Sequence, residues 1–276
     1  MTVYDYIKGI FSKDSRIFRL SNSDKINPRW RGKAFSELPD NDQRKIRNTT
    51  IHAIIFEQIH PNNDDTSLYQ VFERINTSGR SLLPQEIRNC VYQGDLNSLL
   101  IRLNKNESWR SLVGLPTVDP RMRDIEYILR FFAFSSNDMK TRTKGRISIK
   151  KYLNQFMGNP SSNTAEAIAK FENKFISMTS FVLINIGEFA FSSISNKDRE
   201  KYSSRFHPTI FDAVAVSSLY ASEAFASVPP DIKERHRALL LADDFKELTT
   251  SETMVVSNIN SRIKMAAARL FDLNYE

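Results

Sequence analysis

The chain of 276 residues holds few glycines, one cysteine and four scattered histidines. Eight glycines argue against collagen-like, propeller and glycine-rich β architectures and lean towards helix. A single cysteine, Cys90, leaves no partner for an intramolecular disulfide and excludes a multi-cysteine zinc site. Its place on an apolar-leaning helix predicts a small buried hydrophobe, not a nucleophile. No two of His52, His60, His207 and His236 stand at metal-ligand spacing, and His207-Pro208 reads as a helix start. No apolar run reaches 18 residues, so no membrane-spanning helix is expected. The opening MTVYDYIKGIF has no basic stretch leading into an apolar one, so no secretory signal and a cytoplasmic location are expected. A phosphate-binding P-loop, a dinucleotide glycine fingerprint and a nucleophile elbow are all missing. So are RRM, KH and zinc-finger signatures.

What is present is apolar enough to fold. Apolar residues make up 41% of the chain and phenylalanine alone contributes 19, too much for a disordered segment. The Phe131–Phe134, Phe171/Phe175 and Phe189/Phe191 groups read as core. The net charge is +7, unevenly spread. Residues 139–151, MKTRTKGRISIKK, carry six cations and no acid. Lys140, Arg142, Lys144, Arg146, Lys150 and Lys151 therefore form a candidate nucleic-acid contact, against the alternative of a solvated loop. The pairs Asp64-Asp65 and Asp243-Asp244 read as solvated faces, because neighbouring side chains diverge.

Periodicity predicts a mixed first part and a helical remainder. Helices are expected over Thr2–Phe11, about 40–47 and Asp64–Ile75, and from Pro84 to just before Gly94. Arg16–Leu20 reads as a short strand and Thr49–Ile59, rich in Ile and Thr, as the best strand. Beyond that the pattern is helical throughout, over 96–103, 121–134, 149–157, 164–191, 208–224, 231–241 and 259–270. The expected class is α+β, predominantly helical, divided into residues 1–100 and an all-helical domain at 101–276.

The informative segment is Phe72–Tyr92, FERINTSGRSLLPQEIRNCVY. One helix delivers Phe72, Arg74 and Asn76 to a polar loop closed by Gly79, and a second helix begins at Pro84. Free N–H groups at a helix start, with Arg74, Arg80 and Arg88, suit a phosphate. The Asn76 and Gln85 amides can orient a ligand or tie the loop down. The plain alternative is an ordinary loop with Gln85, Glu86 and Arg88 as local caps and surface pairs.

The pattern FERINTSGxxLxxQEIRNC also resembles the second signature of the GmrSD-type restriction system N-terminal domain family, also known as domain of unknown function 262. TVYDYIKGIF, GKAFSELP, NSLLIRLNKNESWRSLVG, DPRMRDIEYILRFFAF, KKYLNQFM, FHPTIFDAVAVS and SRIKMAAARLFDL resemble its successive blocks. The resemblance implies a ParB/sulfiredoxin-like α/β core, its C-terminal part over residues 1–100, followed by a helical region. It implies a nucleotide- and DNA-binding, NTPase-type component of an anti-phage restriction system, taking an NTP with Mg2+. Phe72, Arg74, Asn76, Gly79, Gln85, Glu86, Arg88 and Asn89 are the matching positions. Arg74 and Asn76 would face the phosphates, Gly79 would allow the turn, and Gln85, Glu86 and Arg88 would brace the pocket.

Three departures shape the expectation. The family's leading Asp-Gly-Gln-Gln-Arg block, which precedes the stretch matched by TVYDYIKGIF, is absent. The pocket is then expected to be incomplete: either the chain is a truncated or split member, or a partner supplies the first half. Leu83 stands where a Ser, Thr or Asn would complete a capping box with Glu86, at a cost of about 1 kcal/mol. No HNH nuclease module follows, so a nuclease would be a separate partner. The alternatives are a non-catalytic interaction or scaffold module that docks with a partner supplying the missing half, and an unrelated helical DNA-binding protein; a homo-oligomer is also open.

Overall fold

The computed structural model describes residues 2–10, 16–50, 66–75, 81–195, 198 and 200–275. The chain divides into two compact units, Met1–Phe56 and Glu57–Glu276. The division therefore falls near residue 56 instead of 100. The reason is that the helices following Pro84 share one core with everything after them.

In the first unit, α1 (Thr2–Lys8) and α2 (Asp40–Arg47) flank an irregular segment with a short 3-10 turn at Phe35–Glu37. Tyr6, Phe35 and Leu38 form its buried core. The expected strand at 16–20 is present only as isolated antiparallel bridges, Ile10 to Ile17 and Arg19 to Ala34. Residues 51–59 of the other expected strand lie outside the described residues.

The second unit is helical, with one hairpin. Its helices begin with α3 (Thr66–Ile75), α4 (Pro84–Val91), α5 (Asp95–Leu103), α6 (Glu107–Val113) and α7 (Arg123–Phe134). They continue with α8 (Asn137–Thr141), α9 (Ile149–Gly158) and α10 (Ala165–Asn185). After β1 (Ser192–Ile194) and β2 (Tyr202–Phe206) come α11 (Pro208–Glu223), α12 (Ile232–Leu241), α13 (Asp243–Thr250) and α14 (Val256–Phe271). The antiparallel β1–β2 hairpin corrects the all-helical expectation for residues 101–276. Its strands are short and serine-rich, but Ile194, Tyr202 and Phe206 alternate inward onto the core.

Capping explains several boundaries. Ser136, Ser148 and Thr164 accept backbone N–H bonds at the starts of α8, α9 and α10. Asn106 does the same for α6, taking the Trp109 N–H at 3.0 Å. His207 stands at the α11 N-cap, followed by proline, as expected. At α4 the missing cap is half replaced: Glu86 Oε2 accepts the Leu83 N–H at 2.6 Å, the return half of a capping box.

The core is aromatic. Trp109 packs edge-on to Phe175 and against Phe206 and Phe211. Phe131, Phe132, Phe134, Phe175 and Phe191 are buried as expected, whereas Phe189 is exposed and stacks on Tyr202. Within this core Asp212 of α11 binds two arginines, Arg130 of α7 and Arg262 of α14. Among the described residues no helix is long and apolar enough to cross a membrane.

Candidate anion-binding site

Arg88 is the centre from which the site is built. It lies on α4 and is fully buried. A buried guanidinium needs acceptors for its donors, and they come from four directions. Nε donates to Asn154 Oδ1 at 2.8 Å. NH1 donates to Gln85 Oε1 and to Glu126 Oε2, both at 2.9 Å. NH2 reaches the Lys150 carbonyl at 3.4 Å. These bonds tie α4 to α7 and α9. They also correct the reading of Arg88 as a direct phosphate ligand, since its donors are spent inside the protein.

The rest of α4 follows the same pattern. Glu86 accepts from Arg121 Nε at 2.9 Å, and Arg121 also holds the Ser81 carbonyl. Gln85 is buried, and its Nε2 has no hydrogen-bond partner among the described residues. Asn89 Oδ1 accepts from Asn97 Nδ2 at 3.1 Å. Gln85, Glu86, Arg88 and Asn89 thus form a brace and not a ligand surface. Cys90 is exposed, contrary to expectation. Its thiol is pushed up by partial burial and by Glu86, so it is not an activated nucleophile.

In front of this brace, α3 and α9 enclose a cavity of about 430 Å³. From α3 come Tyr69, Gln70, Glu73 and Arg74; from α9 come Lys150, Lys151 and Asn154. Tyr69, Gln70, Glu73 and Arg74 share a face because they recur at helical spacing. Among the described residues three cations line the cavity against one carboxylate, Glu73, which grips Lys150 at 2.9 and 3.0 Å. Lys150 Nζ also stands 5.8 Å over the Tyr69 ring. Tyr69 is buried and its hydroxyl is unpartnered among the described residues. Burial, the largest cause, pushes its pKa up to about 12 against the opposing pull of Arg88, so the phenol stays neutral. Asn154, also buried, lines the cavity from α9.

The cavity joins one residue of the motif, Arg74, to two of the basic stretch, Lys150 and Lys151. Phe72 lies part-exposed on the same helix. Asn76, Gly79 and Arg80 lie outside the described residues, as do His52 and His60. The other four cations of the stretch go elsewhere. Lys140 sits over the rings of Tyr220 and Tyr275, beside Lys170 and Lys174. Arg142 pairs with Asp138 at 2.9 Å, and Arg146 lies 4.0 Å from Glu252. Lys144 is exposed. The six therefore do not gather into one patch.

Among the described residues no three His, Cys, Asp or Glu side chains group as a metal site. Tyr69, Gln70, Glu73 and Asn154 are not marked as site residues by the sequence; of these, Tyr69 and Asn154 are the buried ones. Both occupy inward positions of amphipathic helices, where pattern alone marks them as core. No family model, no curated protein and no solved structure matches this chain.

Proposed function

We propose that the α3–α9 cavity binds the phosphate groups of a nucleotide, and that the chain is the nucleotide- and DNA-binding component of a GmrSD-like anti-phage restriction system. One observation carries the first half: Arg74, Lys150 and Lys151 converge on a cavity whose one carboxylate among the described residues is already paired. Charge-assisted donors around a recess are what a phosphate requires. The resemblance of Phe72–Asn89 to the family signature supports the second half. The donors suit phosphate oxygens. They do not form a ligand set for Mg2+, so the cavity is read as a site for the anion and not for the metal. Glu73 is engaged by Lys150, and the reading is one of binding, with hydrolysis assigned to no side chain.

Calorimetric titration of ATP into the wild-type chain, Arg74→Ala and Lys151→Ala tests this. Affinity should fall about tenfold or more in each variant, the worth of one charge-assisted contact. Unchanged affinity in both sinks the assignment. DNA binding, if carried by Lys144 and its neighbours, weakens with added salt. Filter binding that detects no complex at low salt removes that half.

A second reading, a non-catalytic interaction module, is favoured by the first unit. There Tyr6, Phe18, Leu20, Ile26 and Trp30 line an apolar cavity of about 430 Å³, and Val3 at its edge is exposed. Co-purification of a partner that Trp30→Ala releases, with no nucleotide binding by any form of the chain, would select it.

A further inference from the structure

Resting on the phosphate reading of this cavity, the geometry points to Asn154 as a ligand-binding donor whose amide is aimed at the bound anion by Arg88. An asparagine side chain offers an acceptor oxygen at one end and a two-proton donor at the other. Which end faces which way is decided by its neighbours. Here the neighbour is a guanidinium, which only donates. Arg88 Nε lies 2.8 Å from Asn154, so the oxygen must face Arg88. The Nδ2 group is then turned away from the brace, at a residue that lines the cavity.

Asn154 is 2% exposed, and its Nδ2 makes no hydrogen bond among the described residues. The Nδ2 is not one of the fully buried atoms that lack a partner, so what little of Asn154 is open offers this donor at the cavity wall. A ligand supplying oxygen acceptors can take that donor in place of water. Arg74, Lys150 and Lys151, which line the same cavity, select an anion as that ligand. A phosphate or diphosphate meets both demands. Among the described residues Glu73 is the one opposing charge, and it is held by Lys150.

The motif residue Arg88 thus acts on the ligand through a side chain 66 positions away. Reversing the polarity of Asn154 at constant shape is the sharpest probe. Asn154→Asp keeps the volume and gives Arg88 a carboxylate, so the fold gains an ion pair. It also replaces the cavity's donor with a negative oxygen.

Inorganic pyrophosphate is titrated into the full chain by calorimetry, with wild type, Lys151→Ala and Asn154→Asp. In parallel, the wild-type side-chain amide resonance that disappears in Asn154→Asp is followed during the titration. Expected are weaker binding in Lys151→Ala, at least a tenfold loss in Asn154→Asp with an unfolding midpoint no lower than wild type, and a shift of the Asn154 amide resonance. If Lys151→Ala weakens binding while Asn154→Asp does not and its resonance stays still, the role of Asn154 is refuted and the cavity reading stands. If wild type fails to bind, or Lys151→Ala changes nothing, the cavity reading falls and the inference falls with it. Should Asn154→Asp lower the midpoint, the wild-type amide resonance alone decides: a shift supports the assignment and a still signal overturns it.

Discussion

Asp212 grips Arg130 as a fork in the core of the second unit, Oδ1 to Nε at 2.5 Å and Oδ2 to NH2 at 2.6 Å. The same Oδ2 accepts from Arg262 NH2 at 2.8 Å. One carboxylate therefore serves two buried guanidinium groups. Removing it would strand both cations. Asp212→Asn is expected to cost about 3–5 kcal/mol, the usual penalty for breaking one partner out of a buried ion pair. Replacing Arg130, Asp212 and Arg262 together with apolar residues of similar volume should cost far less. Urea unfolding of the single and triple variants measures both, and a milder loss in the single variant would contradict the argument.

His236 is a second buried polar group, and it makes stability depend on pH. Its Nε2 lies 2.9 Å from the Ala190 carbonyl, which can only accept, so Nε2 carries the proton. Burial pulls its pKa down from 6.5 to about 4, although the bond to Ala190 works the other way. The unfolded chain takes up a proton as pH falls below 6.5, while the folded chain resists until about 4. The contribution is complete above pH 6.5 and is lost as pH falls towards 4, on the order of 3 kcal/mol in total. Asp119 and Asp138, whose pKa values are lowered, lose their contributions only below the ordinary carboxylate range. The urea midpoint should therefore decline between pH 6.5 and 4.5 in wild type. His236→Gln, which keeps a donor for Ala190, should flatten that decline, and an equal slope in the variant refutes the assignment.

How much of this was readable in the sequence differs from element to element. Helices α3, α4, α7, α9, α11 and α14 announce themselves by apolar spacing and by Pro84 and Pro208. Arg74, Lys150 and Lys151 each read as cationic candidates from the sequence. Their meeting was not legible, because it depends on packing between helices some 76 residues apart in sequence, and periodicity carries no such information. Arg88 illustrates the converse. An arginine beside Gln85 and Glu86 reads as a surface pair or a phosphate ligand, and only its burial against Glu126 and Asn154 reveals a brace. Helix α13 was hidden by its polar start at Asp243-Asp244, and the β1–β2 hairpin by strands too short for a convincing alternation.

Phe225 ends α11 in a conformation that suits glycine. Its φ is 51°, in the left-handed region, and its side chain is 95% exposed. The next N–H, of Ala226, closes back on the Ala221 carbonyl at 3.0 Å, the wide bond of a Schellman ending. A phenylalanine there suffers strain and buries nothing in return. Phe225→Gly should relieve the strain, partly offset by the greater freedom of glycine in the unfolded chain. The net gain is expected at about 1 kcal/mol, or roughly 2–4 °C in Tm. A melting temperature unchanged or lowered would show that the exposed ring has partners in solution.

Glu73 sets the resting state of the cavity. It holds Lys150 in a surface ion pair, so an incoming anion competes with it for the same ammonium group. Both partners are more than two-fifths exposed, which screens the pair and limits its worth. Glu73→Gln removes the competing charge but keeps a polar side chain of the same length. Pyrophosphate affinity should rise about two- to fivefold, the scale of one screened charge interaction. The gain should shrink as salt is added, because it is electrostatic. Lys150→Gln in the same background should abolish the gain, since Glu73 acts on the anion chiefly through Lys150. A rise that persists without Lys150 would mean that Glu73 repels the ligand directly, and a fall in affinity would place Glu73 among the groups that hold it.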